Sequence, residues 1–248
     1  MKKTDIHLHL TFEQHPKTEH MFVSSAEHML PHLRELSIEK GILMSSGEGN
    51  SAVPFGSNDE CRQIAEAFPG IYFWMCNLDD VPENIFERLE TYKNQGAVGI
   101  GELMINRSID DPMIQEIFAA AETLSLPVLF HMSPEVGYEY GIVDDAGLPL
   151  LEESLKKYPN LKFIGHSQPF WHEISGDASG DLSSRMEWGK GEVAPGGRLS
   201  YLFDTYPNLY GDLSANSGGC AIMRDETFGL SFLEKYCDRL MFATDMVN

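Results

Sequence analysis

The chain has 248 residues, 42% hydrophobic, 23% charged and 10% aromatic, which excludes a disordered polymer and fits one barrel-sized domain over 1–248. Lys and Arg number 18 against 38 Asp and Glu, a formal charge of −20. A surface that acidic repels phosphate backbones and anionic lipid, so nucleic acid and membrane are poor partners, and no apolar run approaches the roughly 20 residues that span a bilayer.

The N-terminus, Met1 to Asp5, runs straight into an alternating segment without the apolar stretch of a signal peptide. Cys61, Cys76, Cys220 and Cys237 form no CxxC pair and read as reduced thiols of a cytoplasmic protein. Short apolar runs recur at 4–10, 41–46, 70–76, 97–103, 127–132, 161–166, 208–213 and 239–245, with helix-like segments between them. Ser24 with Glu27, and Ser57 with Glu60, have capping-box spacing before two of the helices, and Asp110-Asp111-Pro112 marks a third helix start. Phe68-Pro69-Gly70-Ile71, Tyr158-Pro159-Asn160-Leu161 and Tyr206-Pro207-Asn208-Leu209 each stop a helix and open a strand. Proline cannot continue a helix, and Gly or Asn tolerates the left-handed turn. Eight such units predict an α/β fold, a (β/α)8 TIM barrel. An open doubly wound sheet is the alternative, but no GxGxxG follows the first strand. The sequence stops three residues after Asp245, too few for a full final helix.

Segments 11–24, 45–57, 132–147 and the stretch between His166 and Gly196 are long, while connections into strands are short. Long loops at one end predict activity at the C-terminal face of the barrel. On the first strand His7 and His9 are two apart and share a face, with Ile6, Leu8 and Leu10 on the other. Glu102, His131, His166 and Asp245 each close a later apolar run. A lone polar group there costs several kcal/mol to bury unpaired, so four imidazoles and two carboxylates at one rim call for a cation. Imidazole with carboxylate suits a divalent metal, zinc first, with manganese, iron or nickel as alternatives.

The HxH pair, the strand-end Glu102, His131 and His166, and Asp245 resemble the amidohydrolase superfamily, over nearly the whole chain. The run Ile164-Gly165-His166-Ser167-Gln168-Pro169-Phe170-Trp171 is similar to its "amidohydrolase 2" branch, which holds metal-dependent hydrolases and non-oxidative decarboxylases. The resemblance implies that His7, His9 and Asp245 ligate one divalent metal, with His131 as a further ligand. It implies that His166 is a second-metal ligand or a substrate-facing catalytic base. Glu102 stands where dinuclear members carry a bridging carboxylate, and the absence of Lys there argues against a carbamate bridge. One or two ions fit this pattern.

A divalent cation acidifies water, and Asp245 is placed to take and return the proton. The expected activity is hydrolysis of an ester, lactone or amide in a small-molecule substrate. Non-oxidative decarboxylation or hydration is the alternative, which Glu102 disfavours. Two further readings are a non-catalytic metal- or ligand-binding barrel, suggested by the missing helix, and a TatD-like nuclease, opposed by the charge. A homo-oligomer is compatible with the sequence.

Trp171 and His172, with Glu173, follow strand six and are candidates to line the substrate pocket. His15 and His20 are candidates to gate the mouth, Asp212 to reach the rim, and Arg107, Arg185 and Arg198 to anchor an anionic substrate. His28 and His32 read as surface residues. The Ser45-to-Gly49 loop lacks the Lys of a phosphate-binding loop, and no GxSxG nucleophile elbow occurs.

Overall fold

A computed structural model describes residues 2–18, 22–49 and 55–247. Among them are nine strands: β1 (Lys3–Leu8), β2 (Ile38–Met44), β3 (Tyr72–Met75), β4 (Ile100–Leu103), β5 (Val128–Ser133), β6 (Ile142–Val143), β7 (Phe163–His166), β8 (Leu209–Asp212) and β9 (Leu240–Met241). The helices are α1 (Ala26–Glu35), α2 (Asn58–Ala67), α3 (Ile85–Asn94), α4 (Pro112–Leu124), α5 (Pro149–Lys157), α6 (Gln168–His172), α7 (Leu182–Arg185), α8 (Arg198–Thr205), α9 (Ala215–Met223) and α10 (Glu226–Lys235). None is long and apolar enough to cross a membrane.

Local chemistry accounts for the helix starts. Ser57 caps α2 by accepting from Glu60 N–H, and Asp111 caps α4 from Met113 N–H, with Pro112 in the first turn. The cap of α1 is Ser25, which accepts from His28 N–H, one residue beyond the predicted Ser24.

Every predicted apolar run becomes a strand, and the two-residue β6 is added beside β5. All pairings are parallel, as helical crossovers require. The strands form two arcs, β1-β2-β3 and β4-β5-β7-β8-β9. Backbone hydrogen bonds join the arcs at both seams. At β3–β4, Cys76 N–H donates to Gly99 O at 2.9 Å and Gly101 N–H to Cys76 O at 2.8 Å. At β9–β1, Ile6 N–H donates to Phe242 O at 3.2 Å, Asp245 N–H to His7 O at 3.0 Å and His9 N–H to Met246 O at 3.0 Å. The sheet is thereby closed, and the protein is a TIM barrel.

The apolar side chains form two layers. Outward residues, among them Leu8, Leu43, Trp74, Phe130, Phe163 and Leu209, pack against Leu33, Ile64, Leu89, Phe118 and Phe203 of the helices. Inside, Met44, Met75, Leu129 and Ile164 form a smaller cluster. Gly101 belongs to this inner layer, since a Cβ there would lie 2.9 Å from the Met44 sulfur and 3.0 Å from that of Met75. Ile6 departs from the expected alternation and packs partly against the inner cluster, where the pairing of β1 with β2 shifts register between Asp5 and Leu8.

Asp5 ties the last strand to the first. Its carboxylate is fully buried and accepts from Thr244 N–H at 3.2 Å, Thr244 Oγ1 at 2.7 Å and His7 N–H at 3.1 Å. Removing it strands two backbone donors, each worth about 1–3 kcal/mol when buried without a partner. Asp5→Ala is therefore expected to lower unfolding stability by about 2–4 kcal/mol in urea titration. A loss under about 0.5 kcal/mol would show that the seam does not depend on this side chain.

Candidate active site

Strand pairing brings the predicted residues together. In the β5–β7 register His131 stands directly opposite His166. Closure of β9 on β1 sets Asp245 beside His7, with Asp245 in a left-handed backbone conformation (φ 57°) beyond the end of β9. Alternation from Ile100 would aim Glu102 outward, but the pairing of β4 with β5 shifts register between Ile100 and Leu103, and the carboxylate reaches the inner rim.

Four donor atoms make a compact cage. His7 Nε2 lies 3.0 Å from His9 Nε2, 3.6 Å from Glu102 Oε2 and 3.4 Å from Asp245 Oδ1. His9 Nε2 lies 3.5 Å from Glu102 Oε2 and 3.4 Å from Asp245 Oδ1. Ligands about 2.1 Å from a shared ion stand about 3.0–3.4 Å apart in octahedral or tetrahedral arrangement, so the cage fits a divalent metal. The other Glu102 oxygen, Oε1, faces a second group, 2.6 Å from His131 Nδ1 and 3.7 Å from His166 Nε2. The short contact to His131 is a direct hydrogen bond, tighter than two ligands of one ion.

Beneath the cage lies Asp212, fully buried at the end of β8. Its Oδ2 is 2.6 Å from His7 Nδ1 and 3.2 Å from His166 Nδ1. Ser214 Oγ is 3.1 Å from the same His166 nitrogen, and Asp212 Oδ1 accepts from Ser214 N–H at 2.8 Å. A carboxylate on the far nitrogen of a ligating imidazole fixes its tautomer and aim. The sequence offered Asp212 only as a candidate rim residue and did not single out Ser214. The signal for Asp212 is the one that marked Glu102 and His131, a polar group closing an apolar run.

Among the described residues, ion pairs to Glu102, Asp212 and Asp245 come from histidine alone. Burial would lift Glu102, but the His131 charge and hydrogen bonds from His131, His7 and His9 hold it well below the carboxylate range. Burial likewise opposes, and His7 with His166 overcomes, in lowering Asp212. Asp245 is lowered against burial by His9, His7 and His166. Burial depresses His7, yet the charge and hydrogen bond of Asp212, with Glu102 and Asp245, leave it well above its ordinary value. His9 is raised, against burial, by Asp245 and Glu102.

His9, Glu102, His131 and Asp245 open onto a cavity of about 940 Å³ at the C-terminal ends of the strands. Its other walls come from the segments after β2 (Met44, Ser46, Phe55, Gly56), β3 (Asn77 to Asp80), β4 (Met104 to Asn106) and β5 (Glu139, Tyr140). Tyr140 sits with its ring edge-on to His131, centroids 4.6 Å apart. Glu48 braces this wall: its N–H donates to Asp79 Oδ1 at 2.8 Å, its carboxylate accepts from Asp79 N–H, and Arg88 and Tyr92 hold it from below. The Ser45-to-Gly49 loop is thus a strut.

Trp171 and His172 lie away from the cavity, which corrects their expected placement. The chain turns into α6 directly after His166 and carries Trp171 back under β8, where it is buried with Nε1 donating to Asp212 O at 2.9 Å. Glu173 is buried as well, and His172 Nε2 pairs with Ser179 O. His166 is buried, with Nδ1 on Asp212 and Nε2 3.7 Å from both Glu102 Oε1 and Asp245 Oδ2. His15 is half-buried outside the cavity lining, and His20 lies outside the described residues. His28 and His32 are exposed on α1. The three candidate anion anchors are engaged elsewhere: Arg107 with Asp80 and Asp111, Arg185 with Pro134 O and Asp144 O, and Arg198 with Gly147 O and Glu152.

A family model described as Amidohydrolase matches residues 5–248. The chain belongs to the amidohydrolase family. Solved structures share the fold of this amidohydrolase at low identity. A probable 2-pyrone-4,6-dicarboxylic acid hydrolase from Acinetobacter baumannii with citric acid bound is 14% identical, with TM-score 0.58 over 99% of this chain and 84% of that one. A 2,6-dihydroxybenzoate decarboxylase from Rhizobium is 16% identical, with TM-score 0.60 over 98% and 88%. A 5-carboxyvanillate decarboxylase from Novosphingobium aromaticivorans, complexed with manganese and 4-hydroxy-3-methoxy-5-nitrobenzoic acid, is 15% identical, with TM-score 0.61 over 99% and 86%. A search among curated proteins finds no match.

Two outcomes follow from the cage. Asp212→Asn is expected to weaken zinc binding about 10–100-fold in competition titration, because His7 loses the partner that aims it. Unchanged affinity would reduce Asp212 to a packing residue. The second outcome concerns pH. In protein stripped of metal, the raised histidines add stability that is fully present below about pH 6.5 and is lost as pH rises through their raised values. The lowered carboxylates add stability above the ordinary carboxylate range that is lost as pH falls through their lowered values. A cation competes with the histidine protons. The rise in Tm on adding zinc is therefore expected to grow as pH increases from about 6 upward, with protons released on binding. A zinc-induced shift independent of pH would refute this.

Proposed function

We propose that this amidohydrolase is a divalent-metal-dependent hydrolase acting on an ester, lactone or amide of a small molecule. The observation that carries the reading is the His7–His9–Glu102–Asp245 cage opening onto a cavity of about 940 Å³, a size suited to a small substrate. Its donor set of two imidazoles and two carboxylates suits zinc first, with manganese, iron or nickel as alternatives for metal analysis to decide. One or two ions fit, because Glu102, His131 and His166 form a second group of donor atoms close enough to hold a metal.

When bound, a divalent cation supplies Lewis acidity, lowering the pKa of water from 15.7 toward about 7 and drawing charge from a carbonyl oxygen. The chain's own residues supply the rest. Asp245 is the carboxylate that is both held by His9 and partly exposed at the cavity, so it takes the proton of the attacking water at Oδ1 or Oδ2 and returns it to the leaving group. Glu102 is buried and held on both oxygens, which suits a fixed ligand. His7 and His166, locked from beneath by Asp212, hold the cage in register.

Decarboxylation is the second reading, supported by the two decarboxylases among the fold's solved neighbours. Both are named for aromatic acids, and among the described residues no Lys or Arg lines the cavity to hold a carboxylate. That weighs for hydrolysis.

A panel of esters, lactones, amides and aromatic acids, followed by proton release and by CO₂ release, tests the assignment. Turnover is expected with proton release from an ester or lactone, or amine release from an amide, with at least about one zinc per chain and loss of activity in chelator. Asp245→Asn at saturating zinc is expected to lower kcat about 10²–10⁴-fold. CO₂ release, or activity retained without metal, would overturn the reading.

A further inference from the structure

Outside the metal cage, the ionisable groups that line the cavity are the carboxylates Asp79, Asp80 and Glu139, the phenol of Tyr140 and the imidazole of His131, which Glu102 holds at 2.6 Å at the cage end. The described residues include every Lys and Arg of the chain, and none of them lines the cavity. Arg107 does not line the cavity but pairs with the lining Asp80 at 2.8 Å and with Asp111 at 3.0 Å, so the charge of Asp80 is partly met from behind the wall.

The amide donors are spent as well. Asn77 Nδ2 donates to Ser45 O and Glu102 O, and its Oδ1 accepts from Leu78 N–H. Asn106 Nδ2 donates to Glu135 O and Gly141 O, and its Oδ1 accepts from Gly137 N–H, which pins the segment carrying Glu139 and Tyr140 to the end of β4. Among the described residues the wall therefore offers many acceptors and few donors. A ligand that satisfies it must bring donors and positive charge. The face of an aromatic ring such as Tyr140 attracts the same kind of group.

We propose that the substrate carries a cationic, hydrogen-donating arm, an ammonium or guanidinium group, on the side of the molecule remote from its scissile carbonyl. This rests on the hydrolase reading for the scissile bond alone; the charge preference belongs to the walls. An anionic arm would meet Asp79 and Glu139, with Asp80 already paired to Arg107 behind the wall and no Lys or Arg among the lining residues. A net charge of −20 steers cations toward the molecule in general, and the cavity walls give them a specific seat.

The test uses three benzohydroxamic acids that differ only in the para substituent: aminomethyl, hydroxymethyl or carboxylate. Each is titrated into the zinc-loaded full chain, and into chelator-treated chain, with the Met44 and Met104 methyl resonances reporting occupancy of the cavity they line. The aminomethyl compound is expected to bind at least about tenfold more tightly than the carboxylate, with the hydroxymethyl compound between, and added salt is expected to narrow the gap. Glu139→Gln, an exposed change that touches no cage residue, is expected to narrow it about two- to threefold. Equal or tighter binding of the carboxylate, a gap insensitive to salt and to Glu139→Gln, or no binding by any of the three would overturn the proposal. The two readings separate cleanly. If zinc tightens all three compounds without a charge order, the substrate class fails and the hydrolase stands. If the charge order persists and zinc changes nothing, the metal role fails and the cationic seat stands.

Discussion

Three carboxylates are buried or nearly so at one rim of this barrel, and the rest of the site follows from the need to keep them charged. Desolvating an ionised carboxylate costs several kcal/mol unless partners restore what water supplied. For Glu102, Asp212 and Asp245 those partners are four imidazoles, shared so that each carboxylate serves two or more. Asp212 is the keystone, because it holds His7 and His166 by their inner nitrogens and leaves the outer ones aimed at the cage. The surrounding backbone reinforces it, through Trp171 Nε1 on its carbonyl and Ser214 N–H on its carboxylate.

Such a cluster can only form if the ring closes. His7 and Asp245 are separated by almost the whole chain, yet the Asp245 N–H donates to the His7 carbonyl. The same seam is sealed from within by Asp5, whose carboxylate binds His7 N–H and both donors of Thr244. Fold stability and site assembly are therefore coupled at β9–β1: a change that opens the seam also spreads the cage. The inner layer below, with Met44 and Met75 against Gly101, plugs the barrel and makes the rim the floor of a cavity, not the mouth of a pore.

Much of this is legible in the sequence because each unit obeys local rules. The apolar runs become strands, the Ser57 and Asp111 caps stand where their side chains can reach the first free amides, and six polar strand ends meet at one rim. What is not legible depends on distant partners. The aim of Glu102 turns on a register shift in β4, which alternation cannot reveal. The role of Asp212 depends on a histidine 205 residues earlier, and the Glu48 strut depends on Arg88 and Asp79 from another loop. The Trp- and Gly-rich stretch after β7 has the length of a functional loop, but the side chains of its first turn are spent on packing: Trp171 and Ile174 are buried, and Arg185 further on is sealed against two carbonyls, while Trp188 stays exposed.

That division of labour among the loops explains how one face can carry both a rigid cage of imidazoles and carboxylates and an open cavity. The segments after β7 and β8 are committed to the underside, fixing His166 and Asp212. The segments after β2 to β5 are committed to the cavity, and they are cross-braced to one another by Glu48, Asn77 and Asn106. The side-chain amides of Asn77 and Asn106 are consumed in that bracing, so away from the histidines the surface left to a ligand is made mainly of carboxylates, a phenol, the Ser46 hydroxyl and apolar side chains. Rigidity at the wall and a preference for donors in the ligand thus share one cause: the loops use their own donors to hold each other in place.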